Sequence, residues 1–271
     1  MILRRLLHTS IINDFLNIKE KETRKSYEAL RTALILSIKK THASYKNVSV
    51  NLSKMYTFLK EFKKIISLNY DLIIYWAMRT GNDELGNWFK DCFLHGKFQV
   101  DWKWFEKHAD GVGGATLVFY PHGSLFLATN MYDEDVKLAR DSDNESLLDM
   151  VVEKWESEDF IPLVVSEGES SQKIHAIKRS FYLSNVYYDV LPDCGENIVM
   201  YGLSLNKNDD HILQKIAKVD IRKIALSIYC ENKNEKDISD EIEKKKRKLN
   251  EFFPDTSLYF FNAQSQNCWI Y

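Results

Sequence analysis

The chain has 271 residues, with 37 lysines and arginines against 39 aspartates and glutamates and a formal net charge of −2. Hydrophobic residues at 45% and charged residues at 28% are the proportions of a folded globular chain and exclude wholesale disorder. The balanced charge argues against broad electrostatic nucleic-acid binding, and Cys92, Cys194, Cys230 and Cys268, with no CxxC pair among them, against a zinc ribbon or a disulfide framework.

The amino-terminal MILRRLLHTSII carries Arg4 and Arg5 inside its apolar stretch and no small-residue cleavage site follows, so no secretory signal is expected. No later apolar run approaches the roughly 20 residues of a membrane span. A cytoplasmic protein without a membrane partner is the expectation. Residues 1–64 read as a helical segment. Leu30, Leu34, Ile35 and Ile38, then Met55, Leu59 and Phe62, recur at three- and four-residue steps without an intervening Gly or Pro. The character then changes to short apolar runs at 65–68, 115–120, 160–165, 198–201, 224–229 and 258–261, read as strands, several of them near-continuous as expected of strands buried on both faces. Helical patterns occupy 146–155, 172–191, 211–219 and 238–252, and the less regular stretch at 80–114, with Trp88, Trp102 and Trp104, reads as an insertion. The charge-rich stretch 234–248 reads as a solvated helix face. Alternating strands and helices predict an α/β chain. The expected architecture is a Rossmann-like three-layer sandwich with a mostly parallel sheet over 65–271, in a single domain spanning 1–271.

In open parallel sheets ligands bind beyond the carboxyl ends of strands, which directs attention to the residues following each run. These are Asn69-Tyr70-Asp71, then Pro121-His122-Gly123-Ser124, then Ser166-Glu167-Gly168-Glu169-Ser170, and then the segment from Gly202 through Ser204, Asn206, Asp209 and Asp210 to His211. Each also has a plainer reading. Asn69 and Asp71 suit a helix cap, His122 a turn, Ser166–Ser170 a cap or a phosphate-binding helix end, and Ser204 and Asn206 a second cap. Asp209, Asp210 and His211 have no second ligand cluster at metal spacing, so no metal is expected.

Asn-x-Asp after one buried strand and His-Gly after a later one resemble the Sir2 superfamily, whose members carry Thr-Gln-Asn-Ile-Asp and His-Gly segments in this order. Here they read Ser67-Leu68-Asn69-Tyr70-Asp71 and Tyr120-Pro121-His122-Gly123, and Gly202-Leu203-Ser204-Leu205 is similar to that family's Gly-Thr-Ser-Leu turn. The longer runs SLNYDLIIYWA, PLVVSEGESSQKIHAIKRSFYLSNVYYDVL and YGLSLNKNDDHIL look like a bacterial Sir2-like family of uncharacterised function, DUF4917. The resemblance implies NAD as ligand and cleavage of its nicotinamide–ribose bond as reaction, in the manner of NAD hydrolases, some of which act in anti-phage defence. It implies Asn69 and His122 as the catalytic pair, with His122 the general base. Asp71, Gly123, Ser124, Glu167, Gly168, Gly202, Ser204, Asn206 and Asp210 would contact the nucleotide, and homo-oligomers are an expected assembly. The lack of paired CxxC sequences sets the chain apart from zinc-bearing sirtuin deacylases. Sir2-like domains also open with a strand and a Gly-x-Gly-x-Ser loop, whereas no glycine precedes Gly81 here, so the front reads as lacking that loop. The competing expectations are a non-catalytic or truncated nucleotide-binding or interaction module, and a different Rossmann-like enzyme working through His122 and Asp210.

Overall fold

The computed structural model describes residues 2–108, 112–138, 144–165 and 169–271. Four helices open the described chain: α1 (Ile2–Phe15), α2 (Glu22–Thr41), α3 (Tyr45–Ser49) and α4 (Leu52–Leu59). In α4, Leu52, Met55, Tyr56 and Leu59 are buried, the i, i+3, i+4, i+7 stripe of a helix with one core-facing side. Leu3 and Leu7 of α1 close a small separate cluster over Tyr27 and Ile161.

Next come β1 (Lys64–Ile66), α5 (Ile73–Leu85), β2 (Phe89–Lys90), the β3 (Phe93–Leu94) and β4 (Lys97–Phe98) hairpin, and β5 (Thr116–Phe119). Helix α5 ends at Gly86, which adopts the left-handed conformation at φ 71° while its N–H is held by the Asn82 carbonyl. Strands β6 (Gly123–Asn130) and β7 (Asp135–Lys137) lead to α6 (Leu147–Glu156), β8 (Phe160–Val164), α7 (Ser170–Ile177) and α8 (Phe181–Asn185). The chain finishes with β9 (Asn197–Met200), α9 (Asp210–Ile216), β10 (Lys223–Ile228), α10 (Glu235–Asn250) and β11 (Ser257–Asn262).

The described strands form three sheets. Two are three-stranded and wholly parallel, in orders β1-β5-β2 and β11-β10-β9, and the third is a five-stranded antiparallel sheet in order β3-β4-β7-β6-β8. The chain is therefore mixed α/β. All six expected strands exist, but the run at 160–165 pairs antiparallel with β6 rather than joining a parallel sheet. Strand β6 lies outside the expected set because His122-Gly123-Ser124 looks like a turn into a helix, whereas the chain reverses and runs on as a strand buried over seven of its eight residues. The helix expected over 172–191 is broken between α7 and α8. There the Ser180 hydroxyl accepts from Leu183 N–H and starts a new helix, and it also donates to Asp135 at 2.6 Å. The segment expected to be helical through 64 ends at β1, and 80–114 supplies β2, which pairs with β5, and the hairpin of the antiparallel sheet.

One hydrophobic cluster runs through both parallel sheets and the helices that cover them, with Trp76, Trp155, Phe119 and Leu117 fully enclosed. Helix α10 contributes Leu249 alone as a buried residue; much of its charged surface faces solvent, while Lys245 and Lys248 are largely covered. Among the described residues no helix is long and apolar enough to cross a membrane.

Candidate functional site

Strands β1 and β5 are adjacent and parallel, in register from Lys64 with Leu117 to Ile66 with Phe119, so their carboxyl ends deliver Asn69–Asp71 and His122–Ser124 side by side. The two loops are joined. Leu125 N–H donates to the Tyr70 carbonyl at 2.8 Å and the Ser124 hydroxyl to the same oxygen at 3.0 Å. Tyr70 donates its hydroxyl to the Val165 carbonyl at 2.8 Å, and Val165 N–H donates to the His122 carbonyl at 2.8 Å. The Tyr70 hydroxyl is pushed up to about 12 by burial and by the nearby Asp209 carboxylate, so it stays a donor.

His122 meets a residue that no sequence spacing links to it. Its Nε2 lies 2.9 Å from Nε2 of His211, the second residue of α9, and the two rings stack at an interplanar angle of 24°. The Tyr187 ring also stacks on His211, with centroids 6.0 Å apart, and its hydroxyl donates to the His211 carbonyl at 3.1 Å. Exposure of His122 is 2% and of His211 0%. Burial lowers the pKa of both imidazoles. His211 and then Lys173 add to the effect on His122, and Lys173 adds to it on His211, so both rings are neutral at physiological pH. Nδ1 of His211 is buried without a hydrogen-bond partner. Lys173 of α7, itself buried, holds Asp209 at 2.7 Å, and one ligand atom each of His122, Asp209 and His211 lie within 4.8 Å of one another. In the linear sequence Asp209–His211 has no second ligand cluster beside it; the fold brings His122 there from the β5–β6 turn.

The remaining expected residues divide. Asn69 is exposed at the loop tip. Asp71, one residue before the N-cap Leu72, accepts from Ile73 N–H at 2.9 Å and so occupies the first N–H of α5, close to the capping role that its position suggests. Asp71→Ala is accordingly expected to cost about 1 kcal/mol of stability, read by urea unfolding, and an unchanged midpoint would remove the capping role. Gly123 stands at φ 81° in a tight turn, its N–H held by the Tyr120 carbonyl at 2.9 Å. Ser124 is fully buried, with its hydroxyl engaged by backbone. Beyond β9, Gly202 is at φ 67° and donates its N–H to the Ser227 hydroxyl at 2.9 Å, Ser204 is exposed, and Asn206 caps the turn Lys207–Asp209 through Asn208 N–H. Asp210 pairs with Lys248 at 2.9 Å, and its other carboxylate oxygen is buried without a partner. Ser166, Glu167 and Gly168 lie outside the described residues. Sequence reasoning misses Lys173 and Tyr187, which carry no local signature, and it places Asp209 and His211 after a strand end without a second ligand cluster.

No curated protein matches the chain. The family described as a domain of unknown function, DUF4917, matches residues 1–269, and with nearly its whole length covered this chain belongs to the DUF4917 family.

Proposed function

We propose that this protein is a Sir2-like nucleotide-binding protein that takes NAD and hydrolyses its nicotinamide–ribose bond. The observation that carries the reading is the joining of the Asn-x-Asp loop and the His-Gly turn at the carboxyl ends of two adjacent parallel strands, where α/β sheets bind ligands. On this reading the two parallel sheets are parts of one Rossmann-like three-layer core. The exposed Asn69 amide orients the ribose or the attacking water. Loss of nicotinamide leaves an oxocarbenium-like ribose; water adds to C1′ and gives up a proton to the unprotonated His122 imidazole. The products are nicotinamide, ADP-ribose and one proton.

A second reading, a nucleotide-binding module without turnover, has its own support. His122 is almost wholly buried and its Nε2 already faces His211 at 2.9 Å. Incubating the purified chain with NAD and measuring nicotinamide and ADP-ribose separates the two. Turnover that falls at least about 100-fold in Asn69→Ala and His122→Ala is expected for the enzyme. Thermal stabilisation by NAD without product supports the module, and neither turnover nor stabilisation overturns both readings.

A further inference from the structure

We propose that His122, His211 and Asp209 bind a divalent transition cation of the zinc class, with the two imidazole Nε2 atoms and one carboxylate oxygen as ligands. The cluster joins two distant parts of the chain, the β5–β6 turn and the start of α9, and one potential ligand atom from each residue already lies within 4.8 Å of the others. A tetrahedral zinc with bonds of about 2.0–2.1 Å holds its ligand atoms about 3.3 Å apart, so the 2.9 Å histidine pair needs to open only slightly and Asp209 to swing inward. The donor set, two imidazoles and a carboxylate, is of the kind that favours zinc and its neighbours over magnesium or calcium. Three protein ligands also leave a fourth position for water or a substrate atom.

The histidine tautomers are compatible with this arrangement. A direct histidine pair uses one Nε2 as donor and the other as acceptor, and it leaves Nδ1 of His211 buried without a partner. With a cation between them both Nε2 atoms present lone pairs. The ring proton of His211 then sits on Nδ1, which is buried without a hydrogen-bond partner. Lys173 is the internal competitor. Its ammonium holds Asp209 at 2.7 Å and, being buried itself, places a positive charge next to the incoming cation. Lys173 thereby weakens the site and selects for cations that bind imidazole strongly.

The inference goes beyond the NAD reading and does not rest on it. The lone pair that would hold the cation is the one His122 needs as a base, so an added cation should suppress NAD turnover if that turnover exists. The test is a titration of chelator-treated full-length chain with Co2+, followed by visible absorption, and then with Zn2+ as competitor. One equivalent of Co2+ is expected to give the absorption of a low-symmetry four- or five-coordinate site, and Zn2+ to abolish it. His211→Ala and the more conservative Asp209→Asn should each weaken binding tenfold or more, with circular dichroism reporting that they remain folded. Lys173→Met should tighten it, a direction that loss of a merely structural lysine would not produce. Absence of the absorption in the wild type, or equal binding by a His122→Ala/His211→Ala double variant, would overturn the proposal. NAD hydrolysis assayed on the same samples scores the other reading separately.

Discussion

Gly123→Ala is expected to cost about 4 kcal/mol, with about 1–2 from placing an L residue in the left-handed region and about 1–3 from overpacking. A Cβ at Gly123 would sit 1.7 Å from the Leu163 carbonyl oxygen and 2.7 Å from its carbon, at a backbone φ of 81°. The obstruction is backbone, which cannot rotate away as a side chain can. Relief requires β6 and β8 to part where Gly123 faces Val164, and this pulls on the bond between Val165 N–H and the His122 carbonyl. The same substitution should therefore move His122 as well as destabilise the fold. Gly202→Ala is the control. Gly202 stands at φ 67°, and a methyl group added there would meet nothing within 4 Å, so only the conformational cost of about 1–2 kcal/mol applies. Urea unfolding of the two variants measures the difference, and equal losses would show that the close approach to Leu163 contributes nothing.

Stability of the metal-free protein, held in chelator, is expected to fall as pH drops from about 6.5 toward 4. Burial first, and Lys173 second, lower the His211 pKa from 6.5 to about 4, and His122 is lowered in the same sense by burial, His211 and Lys173. Groups facing the pair are the Lys173 ammonium, the Asp209 and Asp210 carboxylates and the Tyr187 ring. Because the folded pKa values lie below the unfolded one, the unfolded chain binds more protons throughout that window. The stabilisation is thus complete above about pH 6.5 and is lost as pH falls through the folded values. At 1.36 kcal/mol per unit, His211, which is 0% exposed, accounts for a loss on the order of 3 kcal/mol. Thermal unfolding at intervals between pH 7.5 and 4.5 reads the slope. A His122→Gln/His211→Gln variant should flatten it, and an identical slope in that variant would assign the acid sensitivity to carboxylates elsewhere.

A good part of the fold is legible from local pattern. Near-continuous apolar runs mark β1, β5, β8, β9, β10 and β11, although of these only β5 is buried at every residue; β9 and β11 are sheet edges that expose Val199 and Tyr259. The stripe of Leu52, Met55, Tyr56 and Leu59, the Asp71 bond at the head of α5 and the charged surface of α10 are local in the same way. The pairing partner of a strand is not local. Phe160–Val164 has the composition of a parallel strand, and only the reversal at Gly123 makes β6 its antiparallel neighbour.

The candidate site divides along the same line. Asn69 and His122 can be picked out because residues at the carboxyl ends of strands leave the sheet where ligands bind, a rule that needs only the strand positions. The His122–His211 contact, 89 residues apart in the chain, and the Lys173–Asp209 pair, 36 apart, depend on how α7 and α9 pack against the β5–β6 turn. Side-chain convergence of that kind is set by the packing of whole elements, and no spacing within a linear segment encodes it. The amino-acid order thus determined six of the strands, most of the helical stretches and the residue types at the strand ends, because those follow from short-range burial and hydrogen bonding. Tertiary packing decided which strands pair and which imidazole His122 faces, because both depend on contacts between segments that only the folded chain brings together.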